Sequence, residues 1–466
     1  MTAVPDAGTR PAAAPDSRPA RPPGHDPRVE LAARAIAPLV RALGDRRTFA
    51  IRFWDGRGIR APGGRQPDFT LVIRRPGALR RMLLPPTDLA IGEAFVHGDF
   101  DIEGDIFAAA ALPDRLSRIR LSAADAARMA FRLAQLRDTD EPPGHGRVPA
   151  SLEGELHSAE RDEAAIRYHY DVGNDFYRLW LDERMVYSCA YFPTDAASLD
   201  EAQLAKLDLV LDKLALRDGM RLLDIGCGWG GLLVRAAERA KVEAMGITLS
   251  ERQQAYATRL IAERGLGDRV RVELMDYRSV PAALGRFDRI ASIGMAEHVG
   301  RARIDDYFAA AREALAPGGL FLNHAITAQP SRRTEGGLIL AGPLAGAIRT
   351  RSFIDAYVFP DGELLSLAEM LRAAQRAGFE VRDVESLRAH YARTLRHWVR
   401  RLEARWEEAV AAANEAVART WRLYMAGAAI GFEQARLDIH QQLLVLPRDD
   451  GSSDAPATRW WGAAGD

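Results

Sequence analysis

The chain has 466 residues, too many for one ordinary hydrophobic core, so two domains are expected, with room for a tail. Its apolar share of 47% and charged share of 27% are those of a soluble globular protein. Lys+Arg 63 against Asp+Glu 64 gives a net charge of -1, which excludes a globally basic nucleic-acid binder and leaves only a local basic patch open. Cys189 and Cys227 are the only cysteines, so no disulfide framework is implied and both read as reduced thiols. No apolar run reaches the ~18 residues that a membrane span needs, and the proline-rich stretch 1–27 has no apolar core of a secretory signal. That stretch reads as a disordered arm, and the chain as a cytoplasmic protein.

Periodic structure begins near Val29, where Leu31, Ala32, Ile36, Leu39 and Val40 recur at helical spacing and Gly44-Asp45 ends the run. Two strand-like runs follow, Thr48–Trp54 and Phe69–Ile73, around a glycine-containing turn at Asp55-Gly56. Residues 75–135 read as mainly helical, with a Gly/Asp-rich elbow over Gly98–Asp105. Residues 28–136 thus form a small N-terminal α+β domain. The polar, Pro/Gly-rich 137–154 is a linker.

Beyond the linker, short apolar runs at 221–225, 242–247, 270–274, 287–293 and 319–326 alternate with segments long enough for crossover helices. This predicts a doubly wound, Rossmann-like parallel sheet over 155–446, with Gly378–Glu385 and a run inside 432–446 as outer strands and 447–466 as a tail. The helix-rich stretch 394–428 carries Leu395, Trp398, Val399, Leu402, Trp406 and Val410 on one face, which predicts packing on the sheet.

The strongest local signal is Leu222-Leu223-Asp224-Ile225-Gly226-Cys227-Gly228-Trp229-Gly230-Gly231: apolar residues, an acid, a glycine-rich turn and a helix start. Glycines let backbone approach a ligand closely. The loop lacks the Lys of a phosphate-gripping GxxxxGK[ST], while Gly226, Gly228 and Gly231 satisfy the dinucleotide spacing. Alone, the pattern fits a dinucleotide or another adenosine-containing cofactor. An acid is usual at the end of the next strand, to hold the ribose hydroxyls. Here that strand ends Gly246-Ile247-Thr248-Leu249-Ser250, with Gln253 beyond, so Thr248 and Gln253 offer the polar contacts. Asp276-Tyr277 follows the third strand, where an adenine-proximal polar group and a flanking ring are expected. No metal is called for.

An ordered series of motifs then resembles the cyclopropane-fatty-acyl-phospholipid synthases and the related mycolic acid cyclopropane synthases. It comprises Tyr168-His169-Tyr170-Asp171-Val172-Gly173-Asn174-Asp175-Phe176-Tyr177, Tyr187-Ser188-Cys189-Ala190-Tyr191-Phe192, the glycine loop with Trp229, and Thr248-Leu249-Ser250 with Gln253. Further along come Gly294-Met295-Ala296-Glu297-His298-Val299-Gly300, His324-Ala325-Ile326, Phe359-Pro360-Asp361-Gly362-Glu363-Leu364 and His390-Tyr391-Ala392-Arg393-Thr394-Leu395. The N-terminal region resembles the smaller domain that the longer bacterial members carry.

The resemblance implies an S-adenosylmethionine-dependent methyltransferase acting on a cis double bond of an unsaturated phospholipid acyl chain, at the membrane surface and without spanning it. The alkene takes the methyl, the chain becomes a carbocation, and a bound bicarbonate removes a proton so that a cyclopropane ring closes. Carried over by residue, the bicarbonate cage would be Cys189 and Ile326, both through backbone, with Glu297, His324 and Tyr391. Cofactor contacts would be Tyr187, Ser188, Asp224, Gly226, Gly228, Trp229, Gly230, Thr248, Gln253, Asp276 and Tyr277. A related chemistry leaves a methylene or methyl branch instead. Independently of the family, a carbocation needs a dry pocket with aromatic faces, and Tyr170, Phe176, Tyr187, Tyr191 and Phe192 are available. His169 reads as structural. Two departures stand out: Ala296 replaces a larger residue, and Gly336–Ile348 is unusually apolar, suiting an acyl pocket or lid as well as a buried helix hairpin. Whether the chain forms a homodimer stays open.

Overall fold

The computed structural model describes residues 26–138, 146–170, 172–329 and 351–461. The arm expected over 1–27 falls outside them except for Asp26 and Pro27, and the apolar 336–348 segment falls outside them entirely.

Asp26 opens the first helix. Its carboxylate accepts from Arg28 N at 2.9 Å, Pro27 suits the first helical position, and α1 runs Pro27–Leu43. A sheet follows from β1 (Phe49–Arg52), β2 (Gly58–Ile59) and β3 (Phe69–Ile73), and, after α2 (Ala78–Leu83) and α3 (Asp88–Val96), β4 (Phe100–Gly104). The strand order is β2-β1-β3-β4, with β1 and β3 parallel. The stretch expected as an elbow is therefore largely a strand. Its alternation explains this: Phe100 and Ile102 are buried, while Asp101 and Glu103 turn outward. Helices α4 (Ile106–Ala110), α5 (Leu112–Leu116) and α6 (Ala123–Gln135) complete the small α+β unit, with α6 packed on α1.

Next come α7 (Ala159–Tyr170), α8 (Asn174–Arg178) and α9 (Leu199–Lys213), the last opened by a reciprocal cap between Ser198 and Glu201. The alternating region runs β5 (Arg221–Ile225), α10 (Gly231–Arg239), β6 (Glu243–Thr248), α11 (Glu251–Glu263), β7 (Val270–Leu274), α12 (Val280–Leu284), β8 (Phe287–Ile293), α13 (Ile304–Ala314) and β9 (Leu315–Ala328). It closes with α14 (Phe353–Tyr357), α15 (Leu367–Arg376), β10 (Glu380–Ser386), α16 (Arg388–Ala404), α17 (Trp406–Ala412), α18 (Glu415–Glu433) and β11 (Leu437–Val445). The sheet has seven strands in the order β10-β11-β9-β8-β5-β6-β7; β7, β6, β5, β8 and β9 are parallel, and β11 and β10 add antiparallel pairings. Because β6 and β8 flank β5, the winding reverses there and a crevice opens at the carboxyl end of β5.

The stretch 394–428 does not lie mainly on the sheet. It belongs to three helices, and α16 packs chiefly against α18, burying Leu395, Trp398, Val399 and Leu402 between them, while Trp406 and Val410 are only partly covered. That helix pair shares one continuous core with the N-terminal unit. The joint is close: Gly92 of α3 meets the Phe353 ring so tightly that a Cβ there would lie 2.2 Å from a ring carbon. Asp88 accepts from Phe353 N at 3.1 Å, and Arg419 of α18 pairs with Asp101 of β4 at 2.9 Å. The described part of the linker is also packed, with Arg147 buried and donating to Tyr357 O at 2.8 Å. Residues 447–461 fold back on the sheet domain, where Trp461 is buried and Trp460 Nε1 donates to Asp212 O at 2.8 Å. Among the described residues, no helix is long and apolar enough to cross a membrane.

Candidate active site

The crevice at the end of β5 holds a cavity lined by the loop after β5, the ends of β6 and β7, the end of β8 with the loop after it, the 185–188 segment, α9, and α7 above. Ten of the eleven residues expected to contact a cofactor line it: Tyr187, Ser188, Asp224, Gly226, Gly228, Trp229, Thr248, Gln253, Asp276 and Tyr277. Gly230 does not. It sits in the left-handed region at φ +86° as the N-cap of α10, and a Cβ there would press on Ala257 of α11 at 3.1 Å, so it sets helix packing. Gly228, at φ +54°, has open space where a Cβ would stand.

Side chains around the cavity are fixed by one another. Thr248 Oγ1 donates to Gln253 Oε1 at 2.8 Å, and Trp229 Nε1 donates to Asn174 Oδ1 at 2.8 Å, tying the glycine loop to α8. Asp224 is 3% exposed and its Oδ1 has no partner, so burial raises it to about 7 against the opposing pull of Lys206. Lys206, which lay in no motif, also lines the cavity, as do Met295 and His298, which the Gly294–Gly300 motif contained without a cofactor role. Lys206 lies on α9, whose buried side includes the polar Gln203 and Lys213 as well as apolar residues, so hydrophobic periodicity does not mark it as buried. Burial holds His298 down to about 4, so its imidazole is neutral near pH 7. Helix α7 covers the cavity with Ile166 and Tyr170, and is tied down through Arg161–Asp361 at 2.6 Å and an Asp162–Arg278 pair. An adenosine-bearing cofactor fits this lining: an unspent buried carboxylate, an open glycine position and a flanking Tyr277 ring are present.

Beside the cavity lies a dense aromatic cage. Tyr187 is ringed by His169, Tyr170, Tyr177, Trp180, Trp398 and Trp421, with centroids 5.2 to 6.0 Å away. Trp398 and Trp421 come from α16 and α18, outside the motifs that suggested an aromatic lining. Of the rings expected there, Tyr170 and Tyr187 are central and Phe176 flanks Trp421. Tyr191 and Phe192 instead stack on His390, away from the cage. His169 is fully buried, neutral through burial, and held by Val358 O at 2.7 Å from Nδ1.

Of the residues expected to cage a base, Cys189, Glu297, His324 and Tyr391 are buried and Ile326 is partly buried, yet not all are free for it. Glu297 Oε1 accepts from Ile326 N at 2.7 Å, so that backbone N–H is spent on Glu297 and is not open to an anion as expected. Glu297 Oε2 has no partner, and burial raises the carboxyl to about 7. Its charge is felt by Tyr170, Tyr391 and Tyr424. Tyr391, packed on Phe432 at 4.8 Å, is raised well above its ordinary range by burial and stays a neutral hydroxyl. On β9, His324 has Nδ1 3.4 Å from Gln441 Nε2 and leaves Nε2 without a partner; burial keeps it neutral. Where Gln441 Nε2 donates to Nδ1, the ring proton falls on Nε2, which has no partner. The Cys189 thiol points at Ala190 O (3.2 Å) and is strongly raised by burial, so it is no nucleophile.

The fold, the winding reversal at β5 and the glycine-lined cavity define an S-adenosylmethionine-dependent methyltransferase. Residues 157–442 match the mycolic acid cyclopropane synthetase family, and residues 42–111 match a domain of unknown function. A probable fatty acid methyltransferase of Pseudomonas putida is 41% identical over 409 residues, covering 88% of this chain and 94% of its own. Cyclopropane mycolic acid synthase 1 of Mycobacterium tuberculosis is 39% identical over 279 residues, covering 60% of this chain and 95% of its own. The structure of mycolic acid cyclopropane synthase CmaA1 complexed with SAH and CTAB superposes with a TM-score of 0.55 at 37% identity, covering 61% of this chain and 98% of that one. The chain belongs to the mycolic acid cyclopropane synthetase family.

Proposed function

We propose that the chain adds one carbon across a cis double bond of an unsaturated phospholipid acyl chain and closes a cyclopropane ring, with a bound bicarbonate taking the proton. The carrying observation is the unspent Glu297 Oε2, buried within electrostatic reach of Tyr170, a member of the Tyr187 cage. Tyr187, Ser188, Asp224, Gly226, Gly228, Trp229, Thr248, Gln253, Asp276 and Tyr277 would hold the cofactor, which supplies an electrophilic methyl carried on a sulfonium.

An acyl chain whose π electrons bonded to that methyl, as the methyl–sulfur bond broke and its electron pair stayed on the departing thioether, would be left with a positive charge, and aromatic faces attract cations by about 0.5–2 kcal/mol each. Excluding water matters equally, because a carbocation that meets water becomes an alcohol. Bicarbonate supplies a compact base for the proton that leaves the new methyl. Glu297 Oε2, when ionised, would accept the bicarbonate hydroxyl, while His324 Nε2 and the Tyr391 hydroxyl would donate to its oxygens. Ile326 N orients Glu297 in this reading, and Cys189 contributes only backbone.

The names of relatives support a lipid substrate: mycolic acids for the shorter ones, fatty acids for the Pseudomonas putida relative that spans both units. That last name also favours a second reading, in which a hydride shift moves the cation to the carbon bearing the new methyl, that methyl then loses its proton to leave a methylene branch, and a separate hydride-donating reductase would convert it to a methyl branch. A first test measures S-adenosylhomocysteine release with vesicles of dioleoyl or of fully saturated phosphatidylglycerol. Release with the unsaturated lipid alone is expected; equal release with both would contradict an alkene substrate.

A further inference from the structure

Lys206 is 1% exposed, yet it lines the cofactor cavity. Among the described residues lining the cavity it is the one cation, since His298 is neutral and no arginine reaches the lining. Its Nζ, an ammonium that carries three donors, donates to Ser188 Oγ at 2.9 Å. Asp182 and Asp224 are near enough to act on its charge, yet neither is hydrogen-bonded to it. Both Asp182 oxygens are taken by backbone, Val186 N at 2.8 Å and Arg184 N at 3.0 Å, and Asp224 leaves Oδ1 unpartnered.

The neighbourhood is built to hold Lys206 and Ser188 in register. Three residues before Lys206 on α9, Gln203 Nε2 donates to Ser188 O at 2.8 Å and to Val186 O at 3.2 Å. One face of α9 therefore splints the 186–188 segment and brings an ammonium to the cavity wall. Burying a charge is costly unless it is paired, so an ammonium with only a hydroxyl as a direct partner is half of an ion pair.

We propose that Lys206 binds the carboxylate at the amino-acid end of S-adenosylmethionine, with the Ser188 hydroxyl beside it. This rests on reading the cavity as the cofactor site. The ligand supplies the missing anion, and Asp224, on the same wall, faces the opposite charge of the ligand's ammonium. Burial pushes Lys206 down to about 8 while Asp182 pulls it up, so it remains an ammonium at pH 7.

The test is calorimetric binding to the full chain, with four ligands: S-adenosylmethionine, its decarboxylated form, S-adenosylhomocysteine and 5′-methylthioadenosine. A charge-assisted hydrogen bond is worth about 10- to 100-fold in affinity. Wild type should bind S-adenosylmethionine tighter than the decarboxylated form by about that factor. Lys206→Met should erase the difference by weakening only the two carboxylate-bearing ligands. Equal wild-type affinity for the two sulfonium ligands would overturn the assignment, whether or not the variant folds. So would a variant that weakens all four ligands alike. Wild type binding none of the four would overturn the cofactor reading itself, and Lys206 with it.

Discussion

Gly228 combines a left-handed φ of +54° with open cavity where a side chain would go. Gly228→Val should therefore strain the loop and fill the cofactor's space, lowering S-adenosylhomocysteine affinity at least about tenfold in calorimetry with circular dichroism unchanged. Glu297 makes a different prediction, because it faces the cage and is absent from the cavity lining. A group that positions a general base accounts for about 10²–10⁴-fold in rate. Glu297→Gln should cost that much in turnover while leaving cofactor affinity unchanged; parallel losses would place Glu297 in the cofactor site. Its pH signature follows from burial. The folded carboxyl sits at about 7 against an ordinary 4.5, so the folded state holds the proton more tightly. Its stabilising contribution is complete below pH 4.5 and is lost as pH rises through 7. Urea unfolding at pH 5 and pH 7.5 should show a smaller drop for Glu297→Gln than for wild type.

At the scale of elements, the cage depends on α16 and α18. Trp421 is 1% exposed and touches Tyr177, Trp180, Tyr187 and Tyr424 within 6 Å. Trp421→Ala should cost about 3–5 kcal/mol in chemical unfolding, and Trp421→Phe much less. The central parallel strands were legible from sequence because they are buried on both faces and read as short apolar runs, while edge strand β7 alternates buried Val270 and Val272 with exposed Arg271 and Glu273; 221–225, 270–274 and 287–293 match the observed bounds. The glycine loop was legible because backbone approach demands those residues. Trp398 and Trp421 were not legible as cage members, since helical periodicity marks a buried face without saying what it packs against. β4 was masked by its glycines and acids although Phe100 and Ile102 alternate correctly. The hydrogen bond from Ile326 N to Glu297 was not legible, because nothing local signals that a side chain 29 residues earlier accepts it.

At the scale of the whole molecule, one core runs from α1 through the N-terminal sheet into α16 and α18, and the two units meet through Gly92 against Phe353. The chain should unfold in one calorimetric transition, and Gly92→Leu should lower that transition by overpacking the joint, at a cost of about 1–3 kcal/mol. Two separate transitions would show the units to be independent. The central claim concerns carbon chemistry inside the cage. It is tested most directly by incubating the protein with S-adenosylmethionine bearing a CD3 methyl and dioleoyl phosphatidylglycerol vesicles, then analysing the released fatty acids by NMR and mass spectrometry. The account predicts upfield ring-proton signals from a cyclopropane whose new carbon retains two of the three deuterons, the third having gone to the base. A product keeping all three deuterons on a heteroatom, or label entering no acyl chain, would contradict it.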